Sequence, residues 1–288
     1  MTNVVTTDIS SKLNSDFLKQ YSTRETISKY TRSTAGYGIE YLLNHDYGDL
    51  YLGQIECYVP KPRLEAGIRM WEFGCGAGMN LLHLVAVLGR RGIPVNFACG
   101  TDFSEALIGA AQGEAQECLG AGRIKDVRFV VAKNENLVEE GAKALGVDPR
   151  DLLGSFDLVF GVNTIRYNHR LNTVARCVEG ISAVLREDGI CIVIDMNSKF
   201  PAFRSRFRDM LVKDQRAVML PTLDDHAKPF ASAGFEILKK ENFCWIPHSA
   251  GPRLTAVMKA LAPPLSAVVP SHAMRSLVIA RKVTQVSR

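Results

Sequence analysis

The sequence predicts an α/β protein in which a doubly wound, mostly parallel sheet of seven strands follows a helical N-terminal cap. Three observations carry that expectation. From Ile68 onward, short apolar runs alternate with segments of helical period, the pattern of a parallel sheet with helices on both faces. The run "ICIVID" (190–195) is apolar almost throughout, as expected of a central strand buried on both faces. After five strand–helix steps the chain finishes on two strand-like runs, so its last strand can insert as an antiparallel partner.

The elements follow in order. Up to about Arg63 the chain carries seven of its eight tyrosines, and its apolar spacing predicts short helices and loops closed by Pro60 and Pro62. "IRMWEF" is the first strand and "NLLHLVAVLGRR" its helix; "VNFACGTD" is the second strand and "SEALIGAAQGEAQECLG" the next helix. "VRFVVA" is a third strand, followed by the polar, helix-prone stretch 134–154 and a fourth strand, "FDLVFGV". "TVARCVEGISAVL" is a helix that "REDG" stops, with Gly189 suited to a helix-ending turn. "LDDHAKPFASAG" is the last helix of the pattern, before the strands "FEILKKENFCW" and "RSLVIARKV".

Composition narrows the class. Apolar residues make up 47% and charged residues 23% of the 288, the balance of a globular protein, and no apolar run approaches the roughly 18 residues that span a bilayer. The start "MTNVVTTDISSKLNSDF" lacks a basic segment followed by an apolar core, so a cytoplasmic protein without a secretory leader is expected. Seven dispersed cysteines form no C-x-x-C and no zinc spacing, which fits a reducing compartment and no metal. A net charge of +5 is too mild for a dedicated nucleic-acid binder.

The chemistry begins at "EFGCGAGMN" (72–80). Glycines tolerate positive φ and let the backbone approach a ligand, and the helix start that follows adds partial positive charge. A dinucleotide site would need a third glycine where Met79 stands, so NAD and FAD are mismatched. Asp102 ends the second strand; on its residues alone, it or Ser104 caps the next helix.

The pattern Glu72, Gly74, Gly76, Gly78 resembles motif I of class I S-adenosylmethionine-dependent methyltransferases, and "DFSEAL", "FDLVFGVNTIRY" and "LREDGICIVID" are similar to the family's later motifs. The resemblance covers roughly residues 68–240. It implies a Rossmann-like fold, with 1–66 as a helical cap or lid and 67–288 as the methyltransferase domain, carrying lid insertions near 197–222 and 245–274. It also implies S-adenosylmethionine as cofactor and S-adenosylhomocysteine as product. Gly74, Cys75, Gly76 and Gly78 would then pass beneath the cofactor, Glu72 would position its methionyl amino end, and Asp102 would hold both ribose hydroxyls. Phe103 either stacks on adenine or simply packs, and Asn134 is placed to accept from the adenine amino group. Asn163 lies under the expected cofactor.

On the acceptor side, Tyr167 and His169 are the catalytic candidates, His169 as a general base or as an ordinary solvated histidine. "NTIRY" is not the N-P-P-Y-like motif of enzymes acting on the amino groups of DNA bases or glutamine. Asp195 and Asn197 are a broken version of a magnesium-binding pattern. Tyr21, Tyr30, Tyr37 and Arg204 are the candidate acceptor contacts, although Asp209 and Asp214 dilute the charge of Arg204, Arg206 and Arg208. The expected function is transfer of a methyl group to oxygen, nitrogen or carbon of a small organic acceptor, by a monomer or homodimer, without nucleic acid or membrane. An RNA or protein methyltransferase and a catalytically silent cofactor-binding partner are the alternatives.

Overall fold

The computed structural model describes residues 48–120, 127–204, 220–246 and 252–283. Strands β1 (Ile68–Phe73), β2 (Val95–Asp102), β3 (Val127–Val131), β4 (Phe156–Val162), β5 (Leu185–Met196), β6 (Glu236–Phe243) and β7 (Arg275–Arg281) form one sheet in the order β3-β2-β1-β4-β5-β7-β6. The fold is the expected Rossmann-like, mostly parallel arrangement, with β7 antiparallel to both β5 and β6. The chain divides into two compact units, Met1–Pro149 and Arg150–Arg288.

In the first unit, 48–66 form two helices, α1 (Gly48–Tyr58) and α2 (Lys61–Ala66), with Ile55 fully buried. The rest of the predicted cap, 1–47, lies outside the described residues. Strand β1 pairs in parallel with β2, and β2 with β3, so that Phe73 stands beside Thr101 and Asp102 beside Val131. These pairings bring the carboxyl ends of the three strands level. Helix α3 (Met79–Arg90) buries Leu81, Leu82, Leu84, Val85 and Leu88. Helix α4 (Glu105–Gly120) buries Leu107, Ile108, Ala111, Ala115 and Cys118, a stripe at helical spacing. Helix α5 (Leu137–Leu145) lies within the polar, helix-prone stretch 134–154, and its Gly141 admits the Trp71 indole so closely that a Cβ would stand 2.7 Å away.

The single turn α6 (Pro149–Leu152) begins at the last residue of the first unit and leads to β4 in the second, where α7 (Ile165–Arg170) follows β4 directly. Helix α8 (Val174–Val184) buries Cys177, Val178, Ile181 and Val184 against β5. One expectation changes here. Helix α8 ends at Val184, Leu185 is already extended, and "REDG" forms a bulge within β5, because Phe156 pairs with Leu185 and Leu158 with Ile190. The left-handed residue is Asp188 (φ 59), not Gly189. Gly189 is required for a different reason: a Cβ there would meet the carbonyl oxygens of Arg186 at 2.8 Å and Phe156 at 3.1 Å.

The short α9 (Pro201–Arg204) follows β5, and α10 (Leu223–Ser232) opens with a capping box: Asp225 N donates to Thr222 Oγ1, and Thr222 N to Asp225 Oδ2. Helix α11 (Pro252–Val268) lays Met258, Ala262 and Leu265 on a small core of Phe200, Trp245, Ala273 and Met274. No helix among the described residues is long and apolar enough to cross a membrane.

Candidate active site

The first unit holds a cradle at the end of β1. Gly74 (φ 62), Gly76 (φ 55) and Gly78 (φ 77) all adopt the left-handed conformation that a side chain disfavours. The turn is tied to β2 at two points: Cys75 N donates to Thr101 O at 2.8 Å, and Gly76 N to Asp102 Oδ2 at 3.0 Å. Asp102 Oδ1 accepts from Ser104 N at 2.9 Å, while Ser104 Oγ accepts from Leu107 N. Ser104 is therefore the helix cap, and Asp102 organises the turn with both oxygens. The Phe103 backbone also bonds to this carboxylate, which keeps acceptor capacity for a ligand hydroxyl.

Glu72 is fully buried and reaches beneath the turn to the start of α3. Its Oε2 accepts from Leu81 N and its Oε1 from Asn80 Nδ2, both at 3.0 Å. Gly78 at the N-cap has no side chain for this task, so Glu72 supplies a cap from another element. Burial drives the Glu72 carboxyl up to about 8 and that of Asp102 up to about 6, against the hydrogen bonds that favour their anions. A carboxyl raised on folding contributes stability below its unfolded pKa and loses it as pH rises through the folded value. Between about pH 4.5 and 8 the wild type should thus lose stability relative to Glu72→Gln, as urea unfolding at pH 5.5 and 8.5 would measure.

Gly76 and Gly78 differ in what lies behind them. A Cβ on Gly78 would stand 2.5 Å from the Phe129 ring, whereas a Cβ on Gly76 would meet nothing within 4 Å. Gly78→Ala should cost roughly 2–4 kcal/mol of stability from overpacking and backbone strain. Gly76→Ala should cost about 1–2 kcal/mol for its conformation and show its main effect on ligand binding, because its side chain projects into open space. Denaturant unfolding beside calorimetry separates the two. Cys75 turns its thiol into the core toward Gly100, and burial pushes that thiol's pKa well up, so the position presents its backbone alone. Phe103 follows Asp102 half-buried. Asn134, also half-buried, begins a short 3-10 turn (Asn134–Asn136) after β3 that Glu140 holds through Lys133 N and Asn136 Nδ2.

The second unit gathers a polar group around α7. Asn163 adopts φ 56 at the end of β4, donates its N–H to Ile194 O, and accepts from Nη1 of the fully buried Arg275. Asp195, also fully buried, accepts from Arg166 Nη1 at 2.7 Å, Arg166 N at 3.0 Å and Met196 N at 2.7 Å. Burial alone would raise the Asp195 carboxyl, but the Arg166 guanidinium outweighs it and holds the group below the ordinary carboxylate range. Arg166 Nη2 donates to the Tyr167 hydroxyl at 2.9 Å, and its guanidinium lies 4.6 Å over that ring.

His169 is part of helix α7, not a solvated loop, and its ring meets that of His226 edge-on at 5.7 Å. Burial lowers its pKa, and the neighbouring His226 lowers it further. Asn197 has a different role from the magnesium pattern: its amide donates to Ser271 O and Ala273 O and pins the exit of β5. Among the described residues, no group of three His, Cys, Asp or Glu is placed to hold a metal.

Tyr21, Tyr30 and Tyr37 lie outside the described residues, and Arg204 closes α9 with its side chain outside them. Sequence reasoning missed Arg166, His226 and Arg275. Arg275 stands at the head of an apolar strand, and His226 on the buried face of α10 with Ala227 and Phe230; those were the signals available.

A glycine cradle bonded to a strand-end carboxylate, on this sheet order, defines a nucleoside-cofactor enzyme of the methyltransferase class. The chain belongs to the methyltransferase-domain family, whose profile matches residues 64–251. Its cofactor is S-adenosylmethionine. The non-reducing polyketide synthase tazA of Aspergillus terreus is 25% identical over 140 residues, which are 49% of this chain and 5% of that protein. The CMeT domain of the citrinin polyketide synthase superposes with a TM-score of 0.56 at 19% identity, covering 90% of this chain and 56% of the other. The CurJ carbon methyltransferase gives 0.53 at 14% identity, covering 90% and 57%. Both structural matches concern the fold.

The cradle fits the cofactor: open space above Gly76 admits a ligand against the backbone, and Asp102 keeps acceptor capacity for a hydroxyl.

Proposed function

We propose that this methyltransferase acts on a small, polyketide-like organic acceptor, at a carbon or oxygen that must lose a proton. The observation that carries this reading is the pairing of His169 with His226 beside the Arg166–Asp195 ion pair, a proton-accepting group on the helix that follows β4. The names of the similar polyketide synthases and of the CurJ enzyme support an acceptor of that chemistry.

S-adenosylmethionine supplies a methyl group already activated on a sulfonium, so the protein's task is alignment and proton removal. We assign Glu72 to the methionyl end, the glycine backbone to the underside, Asp102 to the ribose, and Phe103 and Asn134 to the adenine. Asn163, its carbonyl oxygen held by Arg275, is assigned to the cofactor through its backbone. Tyr167, fixed by Arg166, orients the acceptor, and His169 takes its proton. Tyr21, Tyr30, Tyr37 and Arg204 are retained as proposed acceptor contacts. We place the enzyme in the cytoplasm, on its seven free cysteines.

The test is labelled methyl transfer to a panel: a β-ketoacyl thioester, a phenol, an amine, transfer RNA and a mixed protein sample. Label in the first two supports the reading. Label in RNA or protein, or tight cofactor binding without turnover on any acceptor, would overturn it.

A further inference from the structure

We propose that Arg275 is a positioning residue for methyl transfer: by holding the Asn163 side chain it fixes the turn from which α7 departs, and with it the places of Tyr167 and His169. The inference rests on the methyl-transfer reading and deepens it by giving Arg275 a role in turnover.

Three observations carry it. First, Asn163 adopts φ 56, the left-handed conformation that a side chain disfavours. It stands between the end of β4 at Val162 and Thr164, the N-cap of α7, so its backbone sets the direction in which that helix leaves the sheet. Second, bonds from two other strands select this conformation. Asn163 N donates to Ile194 O of β5, and Arg275 Nη1 of β7 donates to Asn163 Oδ1. Third, the Arg275 side chain is fully buried. A guanidinium costs free energy to take out of water, so its presence at a buried strand head points to a task that an apolar residue could not perform.

The fold supplies the reach. Strand β7 runs antiparallel, so its first residue lies opposite the last residues of β5 and β6, Met196 and Phe243. Arg275 therefore starts at the end of the sheet where β4 hands over to α7. Two strand spacings, roughly 10 Å, separate β7 from β4, and the arginine and asparagine side chains together bridge them.

Both ends of this bridge are anchored. On the β7 side, Met274 N donates to Cys244 O, and Met274 O accepts from Asn197 N, so the base of the arginine is fixed. On the helix side, Arg166 N donates to Asp195 Oδ2, a second tie just beyond the turn. Tyr167 and His169 follow within the same six-residue helix, so a change of direction at Asn163 moves both. Arg275 acts through Asn163 and takes no part in bond making.

The test compares Arg275→Met, Asn163→Gly and the double variant in the full chain. Two quantities are read: turnover on the acceptor found in the panel, and hydrogen exchange of the α7 amides. Arg275→Met should lower kcat about 10-fold or more, since small displacements of reacting groups are costly, and should speed exchange across Ile165–Arg170. Glycine adopts the left-handed conformation without help and leaves Arg275 nothing to hold. In the Asn163→Gly background the arginine change should therefore cost less than about 2-fold. A residue that only stabilises the sheet would cost the same in both backgrounds, and that result overturns the proposal. Asn163→Ala, at a half-buried turn, leaves Arg275 in place and serves if Arg275→Met does not fold. Wild-type turnover in Asn163→Ala overturns the proposal too. Unchanged exchange in α7 would do so even where methyl transfer succeeds. If exchange rises as expected but the wild type methylates no acceptor, the functional reading fails and the role in turnover fails with it.

Discussion

Asp102→Ala should lower affinity for S-adenosylmethionine by roughly 100- to 1,000-fold while leaving the sheet folded. The carboxylate is proposed to bind two ribose hydroxyls, and two charge-assisted hydrogen bonds lost from a shielded site amount to about 3–4 kcal/mol. The same change removes the acceptors of Gly76 N and Ser104 N, which loosens the turn as well as the ligand. Stability should suffer less, because burial already strains the anion and pushes its pKa to about 6. Calorimetry with S-adenosylmethionine and S-adenosylhomocysteine checks the first point, and far-UV circular dichroism the second. Unchanged affinity for either ligand would remove Asp102 from the cofactor site.

Asp195→Ala should destabilise the protein by about 3–5 kcal/mol, the usual cost of stripping one partner from a buried ion pair. Asp195 is fully buried and the Arg166 side chain is only 13% exposed, so water cannot replace the lost carboxylate. The double variant Arg166→Met, Asp195→Leu should cost less than the single one, since it leaves no unpaired charge. Activity separates the variants differently. Both remove the α7–β5 tie, and the double variant also removes the donor to the Tyr167 hydroxyl, so both should be poor catalysts whatever their stability. The pH dependence follows from the depressed carboxyl. A folded pKa below the unfolded value contributes stability above about pH 4, lost only as pH falls through the folded value. Guanidinium unfolding across acid pH would show this contribution in the wild type and not in the double variant.

Much of the fold was legible because its signals are local. The strands "IRMWEF", "VNFACGTD" and "FDLVFGV" coincide residue for residue with β1, β2 and β4, since buried strands leave short, mostly apolar runs between turn and helix signals. The cradle was legible for a related reason: only glycine adopts positive φ cheaply, so a functional turn leaves three of them in the sequence. "REDG" misled because a bulge inside a strand and a helix stop use the same residues. Helix α5 was left vague because its polar face hides the short apolar stripe of Leu137, Val138 and Ala142.

The acceptor side resisted because its logic is long-range. Arg166 meets Asp195 across 29 residues, His169 meets His226 from the helix after β4 to the one before β6, and Arg275 reaches Asn163 across 112. None of these pairs has a spacing that a one-dimensional pattern could reveal. The sequence by itself determined the sheet and the glycine cradle, because apolar periodicity and positive-φ glycine are properties of neighbouring residues, and the methyl donor followed from the resemblance of that cradle to a known motif. Tertiary structure alone decided that Glu72 caps a helix, that Asp195 pairs with Arg166, and that two histidines touch. Burial and charge pairing depend on what the fold brings close, and that proximity is not written in chain order.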